Sequence, residues 1–375
     1  MDSIIYDSNS LKESVFKCKK GSDWKETAQK YVHHWMINNN ETKNKLISKK
    51  YHQDAPCKFS ISERGKKRNI KALTIKDRVV KNSVTENILN PIIEKYCIYD
   101  NGASQKGKGV KFARDRIKRH LIKYYNQYGD NNGYVVLMDY HGFFDSIDHK
   151  KLGESLKYKI KDKDTFNFVC YGIEANNYSE DFIDYENYNG ELTGNGVGIG
   201  AQDSQAFGIF FPTYVDNWVK IVKSKSAKYY ERYMDDSFTL CRTKEEAKEI
   251  MRGIVENSEK YNLIINSKKC KIVKLSHGFT FLKYKYFLNY GGSISISQNN
   301  ETFIRERRKL KKWKNTKMWK EDIENSYRSW RGNVKKIKRN RLKIKQIDKI
   351  FINNFPKYEY LSKKELKCKK KRKEI

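Results

Sequence analysis

Three carboxylates stand in this sequence where carboxylates are costly. Asp235 and Asp236 are adjacent in "ERYMDDSFTL" (231–240), between aromatic and apolar residues. Neighbouring acids repel one another and resist burial. Asp139 follows four apolar residues, Val135 to Met138, in "VVLMDYHGFFDSIDH" (135–149). One chemistry wants this pattern. Nucleotidyl transfer uses two Mg²⁺ ions roughly 3.5–4 Å apart to bridge an attacking oxygen, a phosphate and a leaving pyrophosphate. Hard, octahedral Mg²⁺ prefers carboxylate oxygens, and its charge makes clustered acids tolerable. Mn²⁺ is expected to substitute. Acids at the ends of two adjacent strands would form a clamp of that size. The same residues read otherwise as a helix cap at Asp139 and a surface hairpin turn at Asp235–Asp236.

The elements that must position these acids follow from pattern. "GYVVLMDY" (133–140) and "DSFTLC" (236–241) read as buried strands, and "GFTFLKYKYFL" (278–288) as another. "KEEAKEIMRGIVENSEKYNL" (244–263) reads as an amphipathic helix, as does "DRVVKNSVTENILNPIIEKY" (77–96), which Pro91 kinks or restarts. Residues 58–80 read as two short strands around a basic turn, Arg64–Arg68, leading into a helix. "NNNETKNK" (38–45) reads as a loop or helix entry, and "GASQKGKG" (102–109) as a Gly/Lys loop before a basic helix ending near Tyr125. Ile344, Ile347 and Phe351 make a helical stripe. The order predicts an α+β fold, a sheet covered by helices on one face.

Composition narrows the partners. The 375 residues carry a formal net charge of +33, of which +20 falls in residues 305–375. That implies a polyanion, nucleic acid first and an anionic membrane surface second. A Lys-rich composition without function is the bland alternative. The N-terminus lacks the order of a signal peptide, and no run of 18 apolar residues exists, so a cytoplasmic protein without a membrane partner is expected. Seven scattered cysteines, with no CxxC pair, argue against structural zinc and a disulfide framework.

In order along the chain, these motifs resemble the reverse transcriptases over about residues 55–340. "DYHGFFD" is similar to their first catalytic block, "GVGIGAQDSQ" (196–205) to the block after it, and "YMDD" to the turn between two strands. "KKRNIKALTIKDRVVKNS" and "NGASQKGKG" resemble fingers elements of group II intron-type and diversity-generating enzymes. "NLIINSKKCKIVKL" and "GFTFLKYKY" resemble the last palm blocks, and "SYRSWRGNVKK" (326–336) a thumb segment. "GVGIGA" also fits a dinucleotide fingerprint, but the polar "YENYNGELTGN" before it is no strand.

The resemblance implies a right-hand polymerase fold. It divides into an N-terminal helical extension (1–55), fingers (56–132), a palm with interleaved fingers segments (133–292), a helical thumb (293–360) and a basic tail (361–375). It makes Asp139, Asp235 and Asp236 catalytic and metal-binding, with Asp236 the weaker ligand and Tyr140 contributing beside Asp139. Phe144 would favour dNTPs over rNTPs by clashing with a 2′-hydroxyl, with Phe143 the likelier core member. Lys66 and Arg68 would grip the triphosphate, and Lys269, in competition with Lys268, would protonate pyrophosphate. Ile199, Gly200 and Gln205 would lie against the incoming nucleotide, Ser204 and Gln205 facing the nascent pair. Lys106, Lys108, Arg307, Lys311, Lys335 and Lys338 would hold nucleic-acid phosphates, while Trp313, Trp319 and Trp330 would pack the helices, contact with sugars being the alternative. Ile199 replaces the Gln of many retroviral relatives, as in diversity-generating enzymes, and implies modest fidelity. Leu73 and Gly198 stand where prolines are common.

The implied partners are an RNA template, nascent DNA, dNTPs and a dedicated structured non-coding RNA; an accessory protein or an oligomer is compatible. The implied role is that of a stand-alone bacterial or phage enzyme in antiphage defence. Diversity generation, an RNA-directed RNA polymerase and an RNA-binding scaffold are the alternatives.

Overall fold

The computed structural model describes residues 1–63, 65–176, 184–316 and 319–355. The basic tail expected at 361–375 lies outside them. The chain divides into two compact units. The first holds Met1–His120 and Gly133–Ile272, the second Leu121–Asn132 and the residues from Val273 onward.

The first unit begins with helices α1 (Ser8–Lys19), α2 (Glu26–His33) and α3 (Trp35–Ile47). Asp7 caps α1 by accepting from the amides of Asn9 and Ser10. The loop alternative for 38–45 is overturned, because these residues lie inside α3. Asn39, Thr42 and Leu46 make its buried side, and Thr42 returns its hydroxyl to the Asn38 carbonyl at 2.8 Å. Strands β1 (Cys57–Glu63) and β2 (Lys66–Ala72) form an antiparallel hairpin, and Arg68 belongs to its second strand rather than its turn. Helix α4 (Ile75–Val84) starts at the Thr74 cap. It passes through a π-helical turn, Thr85–Leu89, into α5 (Asn90–Tyr96), where Pro91 sits in the first turn that tolerates it. Helix α6 (Val110–Tyr128) follows the Gly/Lys loop.

Strand β3 (Tyr134–Asp139) leads to helices α7 (His149–Lys157), α8 (Lys163–Ala175), α9 (Gln202–Phe210) and α10 (Thr213–Asn217). Strands β4 (Tyr229–Tyr233) and β5 (Asp236–Cys241) are a hairpin, followed by α11 (Lys244–Glu259) with a complete capping box at Thr243 and Glu246. With the short β6 (Lys271–Lys274) they make an antiparallel sheet in the order β4-β5-β3-β6. Its register sets Asp139 opposite Asp236. Side chains alternate across a sheet, and here both faces are buried. Val135, Leu137, Phe238 and Leu240 fill one face, while Val136, Met138 and Tyr230 pack with Ile250 and Ile254 of α11 on the other. Helix α11 covers one face as expected, the other face is buried as well, and the unbroken "VVLM" run is the sequence trace of that double burial.

In the second unit "GFTFLKYKYFL" is a hairpin, not one strand. β7 (Phe279–Phe281) and β8 (Tyr284–Leu288) turn at Leu282 and Lys283, both at positive φ, and β9 (Ile294–Gln298) pairs with β8. Helices α12 (Asn300–Lys314), α13 (Lys320–Val334) and α14 (Arg341–Asn354) enclose Leu310, Tyr327, Ile347 and Phe351. The expected stripe Ile344, Ile347, Phe351 is buried. Trp313 and Trp330 pack against this core, but Trp319 does not; it is 78% exposed at the N-cap of α13.

Candidate active site

The β4–β5 hairpin is closed by two residues, Met234 and Asp235, because Tyr233 pairs with Asp236. Met234 adopts φ 55°. A two-residue loop with its first position at positive φ ordinarily uses Gly there, so Met234 carries strain of about 1 kcal/mol. The turn brings Asp235 and Asp236 beside the end of β3. The Tyr140 amide donates to the Asp235 carbonyl at 3.2 Å, and the Tyr140 ring is buried with its hydroxyl 3.2 Å from Ser258 Oγ.

Asp139 is 4% exposed and fully engaged. Its Oδ1 accepts from Asn266 Nδ2 at 2.8 Å and its Oδ2 from Lys269 Nζ at 2.5 Å, while its carbonyl accepts from the Asn266 amide at 2.8 Å. Burial, then the charges of Asp235 and Asp139, push the Asp236 carboxyl up to about 7. Burial works against the Lys269 charge, yet the bond to Asp139 and the other acids raise its pKa. The structure thus brings Asp139, Asp236 and Lys269 together with Asp235 on the joining turn. Asn266 escaped the sequence reading; its only trace was its place in "NLIINSKKC".

A second group of expected residues meets around "GVGIGAQDSQ". The Lys71 amide of β2 donates to the Ile199 carbonyl at 3.1 Å. Gly200 has φ 135°, and a Cβ there would stand 2.8 Å from the Lys71 carbonyl oxygen. Only glycine suits that close passage. The Val197 amide donates to the Phe144 carbonyl at 2.8 Å; Phe144 is half-buried and Phe143 lies in the core. Gln205 is exposed at a cavity of about 390 Å³ also lined by Lys17, Arg78, Lys81, Gly200 and Gln202. Ser204 departs from expectation, being 1% exposed with its hydroxyl turned inward. Lys81 anchors this helix start. Its Nζ lies 2.6 Å from Asp203 Oδ2 and 2.9 Å from Asn176 Oδ1, all buried.

The remaining cations are dispersed. Arg68 is exposed on β2, whose first residue is Lys66. Lys106 is exposed, whereas Lys108 donates to the Tyr99 carbonyl at 3.0 Å and lies over the Tyr99 and Phe112 rings. In the second unit Arg307 and Lys311 are exposed on α12, and Lys335 and Lys338 just beyond α13.

One group of three side chains among the described residues is spaced so that it could hold a metal ion. Asp100, His120 and Glu231 bring their ligand atoms within 4.8 Å of one another, all buried. No sequence signal joins positions so far apart. Cations already attend Asp100. Arg116 Nε donates to Oδ1 at 2.5 Å, Lys220 Nζ to Oδ2 at 3.2 Å, and His120 Nε2 stands 3.4 Å from Oδ2. Burial alone would raise its pKa, but these donors hold it well below the carboxylate range. Burial lifts Glu231 to about 9, so it is neutral at pH 7.

No curated protein sequence matches the chain significantly. Among solved structures, it is similar to telomerase from Candida albicans, in complex with a TWJ fragment of telomeric RNA. Identity is 13% and the TM-score 0.45, over 80% of this chain and 56% of that one. It is also similar to apo telomerase from Candida tropicalis truncated from the C-terminal domain. Identity there is 14% and the TM-score 0.47, over 70% of this chain and 60% of that one. The chain thus spans less than two thirds of either telomerase. The family model described as reverse transcriptase (RNA-dependent DNA polymerase) matches residues 47–286, well over half of the chain. The chain belongs to the reverse transcriptase family.

Proposed function

We propose that this protein copies RNA into DNA, with Asp139, Asp235 and Asp236 holding two Mg²⁺ ions. The observation that carries the reading is the register of β3 and β5, which sets Asp139 against Asp236 at the end of a buried sheet. The donor set fits the ions, since carboxylate oxygens suit Mg²⁺ and burial together with the charges of Asp235 and Asp139 lifts the Asp236 carboxyl to about 7, a cost that a cation would offset. What the ions supply when bound is activation of the primer hydroxyl and charge for the departing pyrophosphate. Lys269 neutralises Asp139 in the resting site. Its raised pKa makes it a proton holder that becomes an effective acid only when its contact with Asp139 is broken. Phe144 restricts the sugar, and Lys66 and Arg68 neutralise the triphosphate.

In this reading the β1–β2 hairpin belongs to the fingers, the β4-β5-β3-β6 sheet is the palm and α12–α14 are the thumb. The net charge of +33 supports RNA and DNA as partners, among them a dedicated structured RNA. The pattern Ile199, Gly200, Ser204, Gln205 supports kinship with bacterial and phage enzymes of the defence-associated and diversity-generating kinds. Antiphage defence is the role we favour. Among the described residues no helix is long and apolar enough to cross a membrane.

The test is DNA synthesis by the purified protein, with copurifying RNA or an added primed RNA, Mg²⁺ and labelled dNTPs. Wild type should extend, and the D235A/D236A variant should not. Synthesis by both, or by neither, refutes the assignment. Sequencing the bound RNA tests the dedicated partner.

A further inference from the structure

The turn that carries Asp235 is strained, and one buried side chain grips it. Arg232, on β4, is 1% exposed. Its guanidinium reaches three places. Nε lies 2.8 Å from both carboxylate oxygens of Asp216 on α10. Nη2 donates to the Ile209 carbonyl of α9 at 2.6 Å. Nη1 donates to the carbonyl of Met234 itself at 3.1 Å. Asp216 is steadied in turn by the Tyr230 hydroxyl at 2.7 Å. Alternation along β4 puts Arg232 on the sheet face opposite Asp236, so it supports the turn from behind without entering the site.

We propose that Arg232 is the positioning residue of the acidic turn, holding Met234 at positive φ and thereby Asp235 in the geometry that binds cation. This rests on the reading of the three aspartates as metal ligands. Through Ile209 the same guanidinium ties the turn to α9, the helix whose first turns contain Gln205. One planar fork therefore sets the acids relative to the helix that follows the "GVGIGA" segment. Lysine cannot replace it, because a single ammonium on a flexible stem cannot span three diverging acceptors. An R232K variant can keep the pair with Asp216 while releasing the Met234 carbonyl.

The test measures Mn²⁺ binding to the full chain by loss of the free-ion EPR signal, which needs no turnover, alongside the circular-dichroism melt. Groups that orient metal ligands typically change affinity 10- to 100-fold when removed. R232K should therefore bind Mn²⁺ about tenfold more weakly while remaining folded. Glycine adopts φ 55° without strain, so R232K/M234G should regain part of that affinity. Because glycine also relieves the strain at this turn, affinities are compared only at temperatures where the melts show every variant fully folded. An R232K protein with wild-type affinity, or one that M234G does not help, overturns the proposal. If R232K fails to fold, D216N loosens the anchor of the guanidinium and is read in the same way, wild-type affinity again overturning it. A wild type whose Mn²⁺ binding is untouched by D235N removes the metal reading, and the proposal with it. That result differs from a wild type that loses Mn²⁺ with D235N but not with R232K, which refutes the positioning alone.

Discussion

Neutralising Asp236 should stabilise the metal-free protein while destroying its activity. The carboxyl stands at about 7 against an ordinary 3.8. Each unit is worth about 1.4 kcal/mol, which gives a ceiling of about 4 kcal/mol for the penalty on the ionised form. Sharing of the repulsion among three acids and relaxation of the half-exposed Lys269 bring the expected gain to about 2 kcal/mol. The sign follows from proton binding. Between pH 4 and 7 the native state keeps a proton on Asp236 that the unfolded chain has released, so the Asp236 contribution to stability falls as pH rises through that window and levels off above it. D236N has no such proton. In EDTA it should match wild type near pH 4 and exceed it by about 2 kcal/mol at pH 8 in urea denaturation. Millimolar Mg²⁺ should shrink or reverse the difference, because the ion binds the native wild type and not its unfolded chain. Equal stability at pH 8 in EDTA, or an equal advantage at pH 4 and pH 8, would refute the reasoning that burial and the neighbouring acids disfavour the ionised Asp236 in the folded state.

Other consequences can be checked separately. K81M strands the Asp203 carboxylate, which lies 2.6 Å from Lys81 in a buried pair, and should cost about 3–5 kcal/mol in urea denaturation. The double variant K81M/D203L should recover most of that loss, and simple additivity would show that the pair is not coupled. Glu231, lifted to about 9 by burial, makes native stability fall as pH rises from 4.5 to 9. E231Q should abolish the part of that fall between pH 7 and 9, where Asp236 no longer contributes, and an unchanged slope would refute it. Lys335 and Lys338 are exposed in the second unit. If both meet phosphate, K335A/K338A should flatten the plot of log affinity against log salt by about two units for an RNA–DNA duplex, whatever its sequence.

What the sequence disclosed depended on how local the cause was. β5 starts and stops at residues 236 and 241 as its β-branched and aromatic content demanded, and α11 begins at the Thr243–Glu246 capping box. Helix α3 was ambiguous because three asparagines in a row favour loops by their own backbone bonds. Packing of Asn39, Thr42 and Leu46 decided for helix. The break within 278–288 was hidden because Leu282 and Lys283, with no glycine, take positive φ. Burial of both sheet faces was present in the "VVLM" run and was read only in part. The three aspartates were legible because strand ends and an acidic doublet are local features. Asn266, Arg232, Asp216 and the Asp100–His120–Glu231 group are joined only by the folded chain, and no spacing announces them.

The acidic turn gathers several local violations at one place. Asp139 is a carboxylate buried at the end of an apolar strand, Met234 holds a conformation suited to glycine, and Asp236 is lifted far above its ordinary pKa. Each is offset by a different neighbour. Asn266 and Lys269 satisfy Asp139, and Arg232 grips the Met234 carbonyl. Asp236 alone is left with burial and the charges of two neighbouring acids, against which Lys269 gives only partial relief. Packing cannot be the reason for such an arrangement, since apolar residues at these positions would serve the sheet better. A fold keeps costs of this kind where function depends on them. The deficit left at Asp236 is one of charge, and what closes it must bring positive charge to the carboxylates without displacing the framework behind them. Arg232 and Asp216 already neutralise each other on the far face of the sheet. In the proposed reading a metal cation would therefore enter from the side that Asp139 and Asp236 share.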